Sequence, residues 1–155
     1  MWKIVGVNGM FGNFLKTIDE KNRIIIPSNF RTELGDIFYI SLGLDKIIEF
    51  RTKAEFEKIK NKINEHDFLN KNVRDFARFF FGNTTEASCD KLGRVILPKN
   101  LLTFTSINKE VYIIGVGEKL ELWPKDRYEA ENQKFTDENE LEKLQKILNE
   151  NGVKL

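Results

Sequence analysis

The hydrophobic positions of this chain follow two rhythms, one of period two and one of helical period, and the period-two part occurs twice. Near the start, Phe14 to Ile18 alternates apolar and polar residues, as a half-buried strand does. A charged turn follows at Asp19-Glu-Lys-Asn22, where Asp can bond the backbone two residues on and Asn22 tolerates positive φ. Arg23-Ile-Ile-Ile is rich in β-branched residues and predicts a strand. Pro27 ends it, and Ser28 is placed to cap a short helix with Phe30 and Leu34 on one face and Gly35 as its stop. A strand over Ile37–Leu42, a Gly-Leu-Asp turn and a strand over Lys46–Phe50 complete a β-turn-β-α-β-turn-β unit.

Helical spacing takes over between and after these segments. Thr52-Lys-Ala-Glu55 reads as a capping box, followed by Phe56, Ile59 and Ile63 on one face. Leu69, Val73, Phe76 and Phe80 form a second apolar stripe that ends at Gly82. Asp137-Glu-Asn-Glu140 caps a last helix carrying Leu141, Leu144 and Leu148, stopped by Gly152. These stripes are expected to cover the body formed by the strands, with oligomer contact as the alternative.

The decisive feature is an internal repeat. Asp19, Arg23, Pro27 and Asn29 recur as Asp90, Arg94, Pro98 and Asn100 at an offset of 71, with three aliphatic residues between Arg and Pro each time. Downstream, Phe38 to Phe50 matches Val111 to Trp123 at an offset of 73, the drift falling where a loop can absorb it. Residues 12–54 are therefore the first repeat, 55–82 connecting helices, 83–126 the second repeat and 127–155 a C-terminal helical segment. Four short strands and one small helix bury little surface alone. Two copies are expected to close over each other into one barrel, a mixed α+β fold that is mainly β.

Composition narrows the function by exclusion. Apolar residues make up 41% and charged residues 32%, the balance of a globular chain and not a disordered one. The net charge of +1 leaves nucleic-acid binding undecided, so any such surface must be a local patch. A single cysteine, Cys89, rules out an intrachain disulfide and suits a reducing compartment. No apolar run approaches the roughly 20 residues of a membrane span, and the N-terminus does not read as a signal peptide. Cys89 and His66 alone cannot build a zinc site, with Cys89 expected to be a small buried apolar residue and His66 exposed. Gly115-x-Gly117 lacks the third glycine of a nucleotide fingerprint. Without a phosphate-binding loop or a nucleophile with its base, the pattern assigns neither an enzyme nor a cofactor.

The doubled pattern Asp-x-x-Gly/Asn-Arg, aliphatic triplet, proline resembles the MraZ family of the SpoVT-AbrB superfamily. The resemblance runs from Met10 to about Tyr128, and Met10-Phe11-Gly12 matches the usual start of the family, leaving residues 1–9 as an extra piece. Asn22 stands where the family usually has glycine, and Leu92 where a small or basic residue is more usual. Kinship implies a double-split β-barrel and a homo-oligomer closing into a ring of about eight or more subunits. It also implies a cytoplasmic, nucleoid-associated regulator of transcription. Such regulators bind double-stranded DNA with short direct repeats upstream of the division and cell-wall gene cluster, their own gene included. The competing reading is an antitoxin-like partner protein, against which stand the two fused copies and the capped C-terminal helix.

Arg23 and Arg94 are the leading site candidates, as bidentate readers of guanine in the major groove. Their alternative is a local ion pair with Asp19 or Asp90 across the turn. Lys16, Lys21, Arg31, Lys91 and Lys99 lie near the turns as candidate phosphate contacts, and Asn22 joins the DNA-binding group from inside the first turn. Asp19, Asp90 and Gly93 are expected to shape the turns, since a carboxylate facing phosphate is repelled.

Overall fold

A computed structural model describes residues 9–155; of the extra N-terminal piece, residues 1–8 lie outside them. The first repeat forms β1 (Met10–Thr17), β2 (Arg23–Ile25), α1 (Ser28–Leu34), β3 (Phe38–Leu42) and β4 (Ile48–Thr52). Helices α2 (Lys53–Asn64) and α3 (Lys71–Gly82) follow. The second repeat forms β5 (Thr85–Ala87), β6 (Arg94–Ile96), α4 (Lys99–Thr105), β7 (Glu110–Gly117) and β8 (Lys119–Pro124). The chain continues into α5 (Lys125–Gln133), a 3-10 turn and α6 (Glu138–Glu150). Everything described up to Pro124 belongs to one compact unit, and Lys125–Leu155 form another.

Strand pairing interleaves the two repeats. One antiparallel sheet runs β1-β7-β8-β4-β3-β5, and β2 and β6 pair with each other in a separate ribbon. Each repeat thus lends its first strand to the other: β1 lies on β7, and β5 lies on β3. An approximate two-fold axis passes between Ile24 and Val95 in the ribbon and between Glu49 and Glu121 where β4 meets β8. That axis matches Glu49 with Glu121, an offset of 72 and not 73. Five residues separate the last paired positions of β3 and β4, but four those of β7 and β8. Leu120 and Leu122 accordingly take the places of Ile48 and Phe50 in the core.

The hydrogen-bonded ladder does not close on itself, because β1 and β5 remain its edges. One apolar core nevertheless spans sheet and ribbon, joining Ile24, Phe30 and Phe50 of the first repeat to Val95, Leu101 and Ile113 of the second. All six are almost fully buried. Removing each such side chain from water contributes about 1.5–3 kcal/mol, and each repeat supplies part of the one core that both share. β1 approaches β7 closely at Gly115, where a Cβ would sit 2.6 Å from the Phe11 backbone nitrogen.

Several local expectations need correction. Pro27, not Ser28, is the N-cap of α1; no side chain caps this helix, and the Phe30 and Arg31 amides donate to the Pro27 carbonyl. The second strand of the first hairpin begins at Ile48, not Lys46, because Lys46 takes φ +62 inside the turn. α3 starts at Lys71 under an Asn70 cap, while Leu69 is held in the preceding turn by Asp67 and is exposed. The Thr52 hydroxyl does accept from the Glu55 amide, but the Glu55 carboxylate pairs with Lys58 and leaves the box half made.

The stripes on α2 and α3 meet as a second cluster of Phe56, Ile63, Ala77 and Phe80. Tyr39, on β3 between two core residues, stacks on Phe56 with ring centroids 4.1 Å apart, which ties the cluster to the sheet. The α6 stripe differs from both, since Leu141, Leu144 and Ile147 remain exposed. Among the described residues, no helix is long and apolar enough to cross a membrane.

Candidate nucleic-acid interface

Both repeats build the same turn from the same local chemistry. Asp19 Oδ1 accepts the backbone amides of Lys21 and Arg23 at 2.9 and 2.8 Å, and the Asn22 amide closes on the Asp19 carbonyl at 3.0 Å. Asp90 Oδ1 accepts from Leu92 and Arg94 at 2.9 Å each, and Gly93 closes on Asp90. The residue before each arginine lies at positive φ, +60° for Asn22 and +79° for Gly93, so asparagine does serve where the second turn has glycine. The turns also lock the repeats together: the Asn22 carbonyl accepts from the Leu97 amide, and the Gly93 carbonyl from Ile26.

Each arginine is held by the aspartate of its own turn. Arg23 Nε donates to Asp19 Oδ2 at 2.7 Å, and Arg94 Nε to Asp90 Oδ2 at 2.8 Å. Both carboxyls are held below the ordinary aspartate value, chiefly by the Arg23 and Arg94 backbone amides and further by the guanidinium bonds. The local ion pair weighed from the sequence therefore exists in both copies. It uses only Nε, which orients the guanidinium and leaves its two Nη amino groups for another acceptor. Ion pairing and base readout are compatible roles.

What the structure adds is convergence. In the ribbon Arg23 lies opposite Ile96 and Arg94 opposite Ile25, so the two arginines are diagonal neighbours on one face. Such diagonals lie about 7–8 Å apart in an antiparallel pair. Ile24 and Val95 turn inward to the core, while Ile25 and Ile96 are exposed beside the arginines. Arg23, Arg94, Ile96, Cys89 and Asp90 line one groove of about 500 Å³. The two isoleucines were not singled out from the sequence, although period-two alternation from Arg23 and Arg94 places them on the same face.

The other candidates divide. Lys21 and Lys91 are exposed within the two turns. Lys16 lies on β1 opposite Val111, and Lys99 opens α4, both outside the ribbon and its turns. Arg31 is carried by α1 of the first repeat, but its guanidinium lies against Gly93 of the second. Cys89 is half-buried rather than enclosed; burial pushes its thiol up, and the Arg31 charge opposes that shift. His66 is exposed, as expected.

The chain is similar to known sequences over most of its length. The family described as "MraZ protein, putative antitoxin-like" matches residues 10–79 and again residues 80–151. This chain belongs to the MraZ family. A protein named transcriptional regulator MraZ from Mesomycoplasma hyopneumoniae (strain 7448) is 48% identical over 146 residues, covering 94% of this chain and 100% of the relative. Its namesake from Mycoplasma mobile is 47% identical with the same coverage. A more distant one, from Clostridium acetobutylicum, is 41% identical over 137 residues, 88% of this chain and 96% of the relative.

Proposed function

We propose that this MraZ-family protein is a sequence-specific DNA-binding regulator of transcription that reads the major groove with its β2–β6 ribbon. The observation that carries the reading is the placing of Arg23 and Arg94 on one exposed face. Each arginine keeps its Nη groups for a base after Nε is taken by aspartate. The major groove, about 12 Å wide, admits a two-stranded ribbon, and arginine pairs bidentately with guanine there. Exposed Ile25 and Ile96 suit the thymine methyl group. Lys16, Lys21, Lys91, Lys99 and Asn22 then set register on the backbone. Asp19, Asp90 and Gly93 hold the turns. No catalytic step, cofactor or metal enters.

The finer reading rests on kinship. The open sheet with its ribbon is one double-split barrel, built from repeats at residues 12–54 and 83–126. Direct repeats in DNA present the same face in the same direction at each step. They call for chains arranged head to tail, and a head-to-tail contact that closes makes a ring of about eight or more subunits. The exposed stripe of Leu141, Leu144 and Ile147 is available for such a contact. The site is the region upstream of the division and cell-wall gene cluster that includes the protein's own gene, with the protein residing on the nucleoid in the cytoplasm.

Fluorescence anisotropy on a duplex from that region, beside a scrambled duplex, tests the reading. Arg23→Ala and Arg94→Ala should each remove about 1–3 kcal/mol of discrimination while the fold survives. Equal binding to both duplexes by the wild type would refute it, and a tight complex with a second protein would then support the antitoxin-like alternative.

A further inference from the structure

The two turns are built alike but charged unequally, and the difference crosses between repeats. Arg31 follows the buried Phe30 on α1, and its guanidinium covers the Cα of Gly93. A Cβ on Gly93 would meet Arg31 Cζ at 2.6 Å and Cδ at 3.2 Å, with Nη1 closer still. The mirror arrangement is missing at the first turn. There the position matching Gly93 is Asn22, which carries a side chain, and the position matching Arg31 is Leu102, which is buried in the core.

Charge sharpens the contrast. The first turn sets Lys21 and Arg23 against Asp19 and Glu20, so it is balanced. The second has Lys91 and Arg94 against Asp90 alone, and Leu92 stands where the first has Lys21. Arg31 adds a further positive charge to that already cationic turn. Its guanidinium, unlike those of Arg23 and Arg94, forms no hydrogen bond or ion pair with any described residue. A guanidinium added to a turn whose one carboxylate is already paired with Arg94 is unfavourable in the free protein and favourable against a polyanion.

We infer that Arg31, carried by the first repeat, is a phosphate-contacting residue of the second repeat's turn, so that the two ends of the ribbon grip DNA unequally and the second end grips harder. Gly93 makes this arrangement, because only a residue without a side chain leaves the guanidinium its place. The inference rests on the ribbon being the DNA-reading element.

The test measures binding to the upstream and scrambled duplexes over a salt series for wild type, Arg31→Ala, Gly93→Asn, the double variant and Arg94→Ala. Asparagine accepts positive φ, as Asn22 does at +60°, so Gly93→Asn moves only the flexible end of Arg31. Arg31→Ala should weaken binding to both duplexes alike, about five- to tenfold, with discrimination retained. The slope of log affinity against log salt should fall by about 0.9, the signature of one lost phosphate contact. Gly93→Asn should reproduce that loss, and the double variant should be no worse than either single. The inference is overturned if Arg31→Ala leaves affinity and salt slope unchanged while Arg94→Ala erases discrimination. A weakened affinity with an unchanged slope also overturns it, since that marks a packing role. If Arg94→Ala leaves discrimination intact as well, the DNA reading itself fails and this inference falls with it.

Discussion

Gly115 is where the exchange of first strands between repeats can be tested most directly. A methyl group there would be 2.6 Å from the Phe11 nitrogen, against an ordinary van der Waals separation of roughly 3.4 Å or more. The obstacle is backbone in a strand paired from Met10↔Gly117 to Thr17↔Glu110, so no side-chain rotation relieves it. Gly115→Ala must therefore push the N-terminal half of β1 away from β7 by the better part of an ångström. Overpacking of this kind costs about 1–3 kcal/mol, which for a unit of this size lowers the melting temperature by roughly 2–4 °C per kcal/mol. Gly82→Ala is the control: nothing lies near its Cβ position and it ends a helix, so it should be neutral or slightly stabilising. Thermal unfolding followed by circular dichroism measures both, and hydrogen exchange should show the Gly115→Ala loss concentrated in the β1 amides. An unchanged or raised melting temperature for Gly115→Ala would refute the close approach, and with it the lent strand.

Two further outcomes follow from the turns and the helical cluster. The Asp19 and Asp90 carboxyls are depressed below 3.8 in the folded state, so the turn bonds contribute fully above the unfolded value and are lost only as pH falls through the lower folded one. Carboxyl NMR titration should place both midpoints below 3.8, with Arg23→Ala raising that of Asp19 and leaving Asp90 in place; ordinary midpoints would contradict the bonding described. Phe80 is buried and stacks on Phe56 and Phe76 at 6.1 and 5.8 Å, so Phe80→Ala should cost about 3–5 kcal/mol in urea unfolding. A loss well under 1 kcal/mol would mean that α2 and α3 are not anchored through this cluster.

Much of this protein is legible in its sequence because the determinants are local. The duplication shows as repeated residues at a constant offset. The turns show because Asp19 and Asp90 act on amides two to four residues away, and because Asn22 and Gly93 are the residue types that accept positive φ. Helices α2, α3 and α6 show because apolar residues recur at helical spacing. The misplaced boundaries are local too: α1 is capped by the carbonyl of Pro27 rather than a hydroxyl, and Lys46 takes up positive φ that its residue type does not advertise.

Tertiary structure alone decided which strands are neighbours. Period-two alternation tells which face of a strand is buried but carries no information about the strand beside it. The loan of β1 to β7 and β5 to β3 is therefore invisible in the sequence, as is the offset of 72 that brings Glu49 opposite Glu121. Buried Glu49 pairs with Arg51 of its own strand and with Lys119, which only the pairing of β4 with β8 brings to it. By the same cause Arg23 and Arg94, 71 residues apart in the chain, share one face of a ribbon, and Arg31 reaches the turn of the opposite repeat. Residue type and spacing determine what each segment can be; which charges meet depends on how the two repeats bury their apolar faces in one core.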